Sequence, residues 1–273
     1  MRTPADARPL PSPAGRHAAA GPPVVAIGAG KGGVGTSTVA ALFAATVAAD
    51  GTRVLLIDAS QHFGGLAAML GIEPQVTLAD VRGGRRGIHE LAIAVSPMLS
   101  LVCAGQVPEG VTVTEHQLLL RRLVDLYQSF GLVVIDAGAS AASLRNAIRC
   151  GATRVLAVTA HDRIALIATY ALVKLLHEQA PDVRVDVLAN RVDANAADRL
   201  HEYLNGASVR FLSRTVPFAG LIPDDPGFEK VIAAGLGTDE AASGSPAALA
   251  VRDIGARLLA DAAAPPFLRL VKG

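Results

Sequence analysis

The sequence predicts an α/β fold, a doubly wound, mainly parallel sheet that carries helices on both faces. Short apolar runs rich in Val, Leu and Ile recur along the chain, and such runs are typical of strands buried on both faces. Segments with helical character lie between the runs, and this alternation indicates βαβ crossovers. A glycine-rich loop also joins the first run to the first helical segment, as is common in sheets of this class.

Composition narrows the class of protein further. The chain has 273 residues and a net charge of +1, so its length suits one α/β domain and its charge gives no indication of direct binding to nucleic acid. The two cysteines, Cys103 and Cys150, fit neither a disulfide framework nor a metal pattern. No apolar run approaches the roughly 18–20 residues of a membrane span, and the first residues lack the apolar segment of a secretory signal. We therefore expect a cytoplasmic protein.

Composition also predicts three regions along the chain. Residues 1–23 are rich in Pro, Ala, Arg and Gly, and we expect them to be disordered because they offer no apolar face to bury. Residues 24–262 carry the alternating pattern of one α/β domain. Residues 263–273 form a tail that mixes apolar residues with cations.

The pattern within the domain assigns the individual elements. The predicted strands are residues 24–27, 53–58, 99–103, 131–136, 154–159 and 183–189. The predicted helices are residues 39–49, 61–70, 114–130 and 164–179, with a last helix that opens at 245–247. Residues 81–92 are predicted to form a loop, and its basic patch of Arg82, Arg85 and Arg86 is expected to be solvated.

The glycine-rich loop, residues 28–38, reads GAGKGGVGTST. Glycine has no Cβ, so such a loop can wrap closely around an oxyanion and turn several backbone N–H groups toward it. The first turn of the following helix adds unpaired N–H donors and the positive end of its dipole. The phosphate-loop pattern G-x-x-x-x-G-K-[ST] is met except at Thr36, which replaces the lysine, and Ser37 takes the position whose hydroxyl reaches Mg²⁺.

Two predicted strands end in a carboxylate, at Asp58 and Asp136. Ligands of doubly wound sheets bind at this edge, and a hard cation such as Mg²⁺ prefers oxygen ligands and keeps part of its hydration shell. An apolar run followed by Asp has the form of a Walker B strand, and Asp136, followed by Ala137 and Gly138, fits this role best. The alternative for either residue alone is a structural Asp that caps the next helix.

The segment Gly30–Gly35 resembles the deviant Walker A motif of the MinD/ParA family of P-loop ATPases. The resemblance implies a protein that binds ATP or ADP with Mg²⁺ and forms a homodimer on ATP binding. It also implies that Lys31 reaches across the dimer to the phosphates held by the partner subunit. The alternative is a glycine-rich turn that binds nothing.

The same resemblance assigns the site residues. Those implied to hold the phosphates are Gly30, Lys31, Gly32, Gly33, Val34, Gly35, Thr36, Ser37 and Thr38. Those implied to act in catalysis are Lys31, Asp58 and Asp136, and those implied to hold the metal are Ser37, Asp58 and Asp136. Those implied to border the base are Asn190, Arg191, Pro223 and Asp224. An asparagine suits this task because its amide offers both a donor and an acceptor.

Two positions depart from the family's catalytic pattern. Thr36 can offer a hydroxyl but no positive charge to the phosphates. Ser60 stands where the family's Asp-x-Asp segment, which opens here with Asp58, has a second aspartate that helps to position water. Together these departures predict an ATPase that binds nucleotide and hydrolyses it weakly.

The second half of the chain resembles the FlhG/FleN branch of this family, which regulates the number or placement of flagella. The resemblance rests on residues 169–176, 188–191, 221–226, 231–235 and 245–247, and it extends over roughly residues 24–260. It implies a protein partner, such as an FlhF-like GTPase or a flagellar transcription regulator. Two alternatives remain: a MinD-like regulator of pilus assembly or cellulose secretion, and a non-enzymatic adaptor with a vestigial nucleotide site.

The tail raises a separate expectation about location. MinD and FlhG proteins often end in a short amphipathic helix that binds lipid, and residues 265–273 have the composition of an interfacial anchor. The segment is too short for firm binding alone. We therefore expect at most weak contact with the inner face of the cell membrane, and the alternative is a terminus docked on its own domain.

Overall fold

A computed structural model describes residues 21–60, 65–104, 112–227 and 244–263. Within these ranges the chain forms one eight-stranded sheet with the order β3-β4-β2-β5-β1-β6-β7-β8. The strands are β1 (Val24–Ala29), β2 (Val54–Asp58), β3 (Ile93–Ala94), β4 (Leu99–Cys103), β5 (Leu132–Gly138), β6 (Arg154–Thr159), β7 (Arg184–Asn190) and β8 (Phe218–Ile222). All neighbours pair in parallel except β3, which is antiparallel to β4.

The helices of the described ranges connect these strands. They are α1 (Thr36–Ala49), α2 (Gly65–Met69), α3 (Leu78–Arg82), α4 (Val113–Arg122), α5 (Ala141–Arg149), α6 (Arg163–Gln179), α7 (Ala194–Leu212) and α8 (Pro246–Ala263). Two 3₁₀ turns, Ile88–Leu91 and Leu123–Ser129, complete the described structure. Neither these helices nor these turns provide a segment long and apolar enough to cross a membrane.

The core lies in two layers, one on each face of the sheet. Along β1, Val24 and Ala26 face the layer built with α4 to α7, whereas Val25 and Ile27 face the layer that contains α1 and α8. Successive side chains of a strand point to opposite faces, so a strand covered by helices on both sides must be apolar at every position. The predicted doubly wound, mainly parallel sheet is confirmed.

The predicted strands and helices are confirmed with two corrections. The predicted helix 114–130 is α4 followed by a 3₁₀ turn, because both helix types place residues three apart on one side and the spacing of Leu120, Leu123 and Leu126 fits either. The predicted loop 81–92 contains the end of α3 and the 3₁₀ turn Ile88–Leu91. Residues 1–20, 61–64, 231–235 and 265–273 lie outside the described ranges, so the predictions that concern them remain predictions.

The basic patch of that segment is paired with acidic residues. Arg82 contacts Glu115 at 3.1 Å, Arg85 contacts Asp80 at 2.8 Å, and Arg86 contacts Glu90 at 2.9 Å. The arginine side chains are 44% to 67% exposed, so the expected solvated patch is confirmed. Its charge is largely balanced locally.

A cluster of ion pairs fastens α8 to the sheet at the amino edge of the strands. Asp186 on β7 is 1% exposed and accepts hydrogen bonds from Arg154 on β6 and, at 2.9 Å, from Arg184 Nε. Arg154 and Arg184 also contact Asp261 on α8 at 3.3 and 3.5 Å. We call these four residues the amino-edge cluster. Both of its cations and both of its carboxylates have partners.

Candidate functional site

The carboxyl ends of β1, β2 and β5 bring the predicted phosphate loop and the two aspartates together. Asp58 and Asp136 are register partners on adjacent parallel strands. Ile27, which lies next to the start of the loop, is the register partner of Asp136 on the other side. The edge predicted from strand-end residues is therefore formed as expected.

The loop has a backbone that requires glycine. Gly33 and Gly35 have φ angles of 83° and 86°, in the left-handed region that strains other residues. A Cβ built on Gly30 would lie 2.1 Å from the carbonyl oxygen of Ala168 on α6, so the loop begins in direct contact with that helix. Its shape depends on glycine where it turns and where it meets α6.

The start of α1 is open to an anion. Gly35 caps the helix without a side-chain hydrogen bond, and the first turn carries no acidic residue. The first N–H groups of a helix lack partners within it and form the positive end of its dipole. The start of α1 thus supplies donors that a phosphate group can use.

Lys31, predicted to act across a dimer, contacts its own chain. Its Nζ lies 3.3 Å from Asp162 Oδ2, and the two side chains are 39% and 43% exposed. Asp162 is the N-cap of α6, and its Oδ1 accepts a hydrogen bond from the Ala165 N–H at 2.8 Å. The pKa of Asp162 is held below its ordinary value, first by the Ala165 N–H and then by Lys31.

Asp136 is the buried carboxylate that fits a metal role. It is fully buried, and its Oδ1 accepts a hydrogen bond from the Gly138 N–H at 2.9 Å. Its Oδ2 accepts no hydrogen bond of ordinary geometry within the described ranges, although the Ser37 side chain lies beside the carboxyl. Burial raises the pKa of Asp136 to about 6, with a further contribution from Asp58, against the lowering effect of Ser37 and Gly138.

An unpartnered buried oxygen beside a hydroxyl is a suitable environment for Mg²⁺. Buried polar atoms are nearly always hydrogen-bonded, so an exception needs an explanation. Mg²⁺ is usually held by one or two carboxylates together with water and substrate phosphates. The described ranges contain no group of three or more His, Cys, Asp or Glu side chains that could hold a metal ion. Binding by one or two carboxylates with water and phosphates does not need such a group. Asp136 and Ser37 therefore fit the predicted metal.

Asp58 differs from Asp136 because both of its oxygens have protein donors. It is 3% exposed, and its Oδ1 accepts from the Ser60 N–H at 3.1 Å and from the Ser60 hydroxyl at 2.7 Å. Its Oδ2 accepts from the Leu66 N–H at 3.3 Å. Its metal and catalytic roles remain predictions. In the structure, its hydrogen bonds with Ser60 and Leu66 stabilise the turn that follows β2.

Thr36 and Ser60, the two departures from the family pattern, are both largely buried. Thr36 is 8% exposed and Ser60 is 7% exposed. A Cβ built on Gly138 would lie 3.2 Å from Ser60 Cβ, so the turns after β2 and β5 touch at this serine. A longer side chain at position 60 would press on both Asp58 and Gly138.

A pocket of about 400 Å³ adjoins the phosphate loop. It is lined by all four residues predicted to border the base, namely Asn190, Arg191, Pro223 and Asp224. Gly35 and Thr38 line it too, so the pocket and the phosphate loop share residues. Its apolar wall consists of Val39, Leu42 and Ile222. Ile222 lies in segment 221–226, which the resemblance placed in the loop beside the base, whereas sequence reasoning missed Val39 and Leu42. The only signal for these two residues was their position just after the loop, where they were assigned to the helix.

The polar residues of the pocket are partly engaged with one another. Asn190 is 5% exposed, and its Nδ2 donates to the Val34 carbonyl at 2.9 Å. The amide was expected to offer both donor and acceptor to a base, and here the loop takes one of its two N–H donors. Arg191 has a φ of 59°, and its Nε contacts Asp224 Oδ1 at 3.0 Å. These two predicted residues therefore form one ion pair.

Comparison with known proteins places this site in a family. Residues 25–238 match the family described as the CobQ/CobB/MinD/ParA nucleotide binding domain. The antiactivator FleN of Pseudomonas aeruginosa is 28% identical over 235 residues, which cover 85% of this chain and 84% of FleN. The match to the family thus covers the sheet from β1 to β8, and the match to FleN covers most of both proteins.

Solved structures show the same fold. The MinC:MinD cell division protein complex of Aquifex aeolicus matches with a TM-score of 0.68 at 22% identity, over 87% of this chain and 96% of that chain. The septum site-determining protein MinD of Pyrococcus horikoshii, solved with Mg-ADP, matches with a TM-score of 0.64 at 19% identity, over 86% of this chain and 95% of that chain. The fold is that of the MinD/ParA P-loop NTPases.

Proposed function

Because the chain belongs to the CobQ/CobB/MinD/ParA family of nucleotide-binding domains, we propose that it binds ATP or ADP with Mg²⁺ and dimerises when ATP is bound. One observation carries this proposal: the glycine loop and the apolar pocket share Gly35 and Thr38. A ligand with a phosphate group at one end and a flat apolar ring at the other fits a donor-rich loop that continues into such a pocket.

Each part of the site has a task in this binding. The N–H groups of the loop and of the start of α1 hold the phosphates. The apolar wall and Pro223 enclose the base, while Asn190 Oδ1 is available to accept a hydrogen bond from it. Asp136 and Ser37 hold Mg²⁺, which when bound neutralises part of the phosphate charge.

Turnover in this proposal is slow. Phosphoryl transfer depends almost wholly on positioning and electrostatic stabilisation. Position 36 offers a buried threonine instead of a cation, and hydrogen bonds to charged groups contribute about 1.5–3 kcal/mol. The Ser60 hydroxyl is already donated to Asp58, so it does not replace the carboxylate that positions water. The loop, the pocket and the metal-binding residues remain available for nucleotide binding.

A binding protein without useful turnover is the second candidate function. Thr36 and Ser60 are the observations that favour it, because each removes charge from the reacting end of the site and leaves the base pocket unchanged. Such an adaptor would form or break its dimer according to which nucleotide is present. It would differ from the first candidate only in showing no measurable ATP turnover.

The wider role that we propose is control of flagellar number or placement through a protein partner. The similarity to FleN over 85% of this chain supports this role. Deleting the gene in the organism that carries it and counting flagella per cell by electron microscopy tests the role. An unchanged count would contradict it and leave the nucleotide proposal standing.

Dimerisation is tested with Lys31→Ala. Light scattering with a slowly hydrolysed ATP analogue should show a dimer for the wild type, a monomer with ADP, and a monomer for the variant under both conditions. Lys174→Ala is a matched control, because Lys174 is a half-exposed lysine on α6 that pairs loosely with Glu178 at 3.9 Å. A wild type that stays monomeric with every nucleotide would contradict the proposal.

A further inference from the structure

Asp162 carries out two tasks with its two carboxylate oxygens. Its Oδ1 caps α6 through the Ala165 N–H at 2.8 Å, and its Oδ2 contacts Lys31 Nζ at 3.3 Å. The cap holds the carboxylate still, since Asp162 is the N-cap of a 17-residue helix and its side chain is bonded to the first turn of that helix. Lys31 therefore meets an anion that is positioned before any ligand arrives.

The backbone keeps Lys31 close to this anion. Gly30 lies against the backbone of α6, where a Cβ would meet the Ala168 oxygen at 2.1 Å and the Thr169 nitrogen at 2.8 Å. α6 is in turn anchored in the core by Leu172, Val173 and Leu176, each at most 5% exposed. The chain just before Lys31 and the helix that bears Asp162 are thus packed together, and the ion pair forms within one subunit.

We propose that Asp162 is a positioning residue that holds Lys31 on its own subunit and thereby opposes the ATP-dependent dimer. This inference rests on the proposed function, in which Lys31 reaches the phosphates of the partner. In this proposal the phosphate held by the partner lies beyond the reach of Lys31 Nζ while Nζ stays 3.3 Å from Asp162 Oδ2, although an ammonium group has three N–H donors. Each subunit must therefore release its Lys31–Asp162 contact before the dimer can close.

The Lys31–Asp162 contact opposes the dimer weakly and does not prevent it from forming. Both side chains are about 40% exposed, and exposed ion pairs contribute little because water and salt screen them. A nucleoside triphosphate carries more negative charge than one carboxylate, so it competes well for the ammonium group of Lys31. A diphosphate lacks the γ-phosphate and competes less well. The contact thus helps the protein to distinguish the two nucleotides.

Asp162→Asn removes the charge and keeps a good N-cap, so it tests the contact without removing the cap. The dissociation constant of the dimer, measured by analytical ultracentrifugation with a non-hydrolysable ATP analogue, should fall roughly tenfold, because each exposed pair is worth about threefold and a dimer releases two. Raising the ionic strength from about 0.05 to about 0.5 M should narrow the difference from the wild type. Asp162→Ser also keeps a capping side chain and should lower the dissociation constant in the same way. Agreement between the two variants would exclude an unrelated defect of one of them.

Asp193→Asn is the matched control. Asp193 caps α7 in the same manner, its Oδ1 accepting from the Ala196 N–H at 2.8 Å, and it makes no ion pair within the described part of the chain. Its dimer should have the dissociation constant of the wild type. A gain in Asp193→Asn equal to that in Asp162→Asn would overturn the inference, because it would reflect a loosened cap.

The remaining outcomes separate this inference from the proposed function. If the wild type dimerises, Lys31→Ala does not, and Asp162→Asn dimerises no better than the wild type, then the contact has no such role and the proposed function stands. If Lys31→Ala dimerises as well as the wild type, or if every variant stays monomeric, the proposed role of Lys31 fails and this inference fails with it.

Discussion

Two buried aspartates at opposite edges of the same sheet have opposite surroundings. Asp186, at the amino edge, is 1% exposed and receives Arg154 and Arg184 on its two oxygens. Asp136, at the carboxyl edge, is fully buried, yet its Oδ2 accepts no hydrogen bond of ordinary geometry in the ranges that the structure describes. Burial alone therefore does not show whether a carboxylate is structural or binds a ligand, whereas its hydrogen-bond and ion-pair partners do.

The difference separates a structural charge from one available to a ligand. A buried charge is tolerated when it is paired and hydrogen-bonded, and the amino-edge cluster meets that condition within the chain. Asp136 makes no ion pair within the described residues, and burial raises its pKa, as expected when a carboxylate is removed from water. In doubly wound sheets ligands bind at the carboxyl edge, so the unpaired carboxylate lies where a ligand is expected.

The largest expected effect comes from breaking the paired edge. Asp186→Ala leaves Arg154, whose side chain is 13% exposed, with only the more distant Asp261 as an acidic partner. The free energy of unfolding should therefore fall by about 3 kcal/mol, as measured by urea denaturation. Asp182→Ala, at an exposed position just before the same strand, should change it by less than about 0.5 kcal/mol. Equal losses in the two variants would remove the distinction between the paired and the unpaired edge.

The pH dependence of stability tests the unpaired edge. The pKa of Asp136 is raised from 3.8 to about 6 in the folded protein, so the folded state holds this proton more tightly than the unfolded state. The resulting stabilisation is fully present below 3.8 and is lost as the pH rises through about 6. Asp136→Asn cannot titrate, so without nucleotide its stability relative to the wild type should rise by up to about 3 kcal/mol across that interval.

Urea unfolding at several pH values between about 4 and 7 measures this difference. Other groups titrate in the same interval in both proteins, so the comparison with the variant isolates Asp136. A difference in unfolding free energy that stays constant with pH would show that Asp136 has an ordinary pKa. It would also contradict the inference that the Asp136 carboxylate is buried without a cation beside it.

The smallest expected effect comes from giving the carboxyl edge the cation that position 36 lacks. Thr36→Lys should raise ATP turnover about tenfold, equivalent to roughly 1.4 kcal/mol of transition-state stabilisation. Thr36→Met, of similar length and without charge, should not. Ser60→Asp should help only in the Thr36→Lys background, because alone it places a second carboxylate where a hydroxyl now donates to Asp58 at 2.7 Å. Wild-type turnover at or above that of the double variant would show that Thr36 and Ser60 do not limit hydrolysis.

Sequence reasoning succeeded where a feature is local. The loop over residues 28–38 and the strand-end aspartates are contiguous patterns, and the sheet brings them together because parallel strands end at the same edge. Asp162 was missed as a partner of Lys31 because the two residues are 131 positions apart. The amino-edge cluster was missed for the same reason, since its members come from β6, β7 and α8.

Some elements were missed because their local signal is weak. α7 is 19 residues long, but its interior contains Asn205 and Gly206, which have low helix propensity. β8 contains Gly220 with a φ of 141° and pairs with β7 through an irregular register. Its residues 221–222 were assigned to the loop beside the base, and the strand joins that loop to the sheet.

The Asn190 amide fastens the glycine loop to the end of β7 through the Val34 carbonyl. The loop is therefore preorganised, and much of the conformational entropy of its glycines is lost during folding and not during ligand binding. An amide nitrogen carries two N–H donors, so Asn190 can hold Val34 with one of them and keep the other, together with Oδ1, for a ring. A base therefore meets a loop that is already shaped, and it need not break the contact that shapes it.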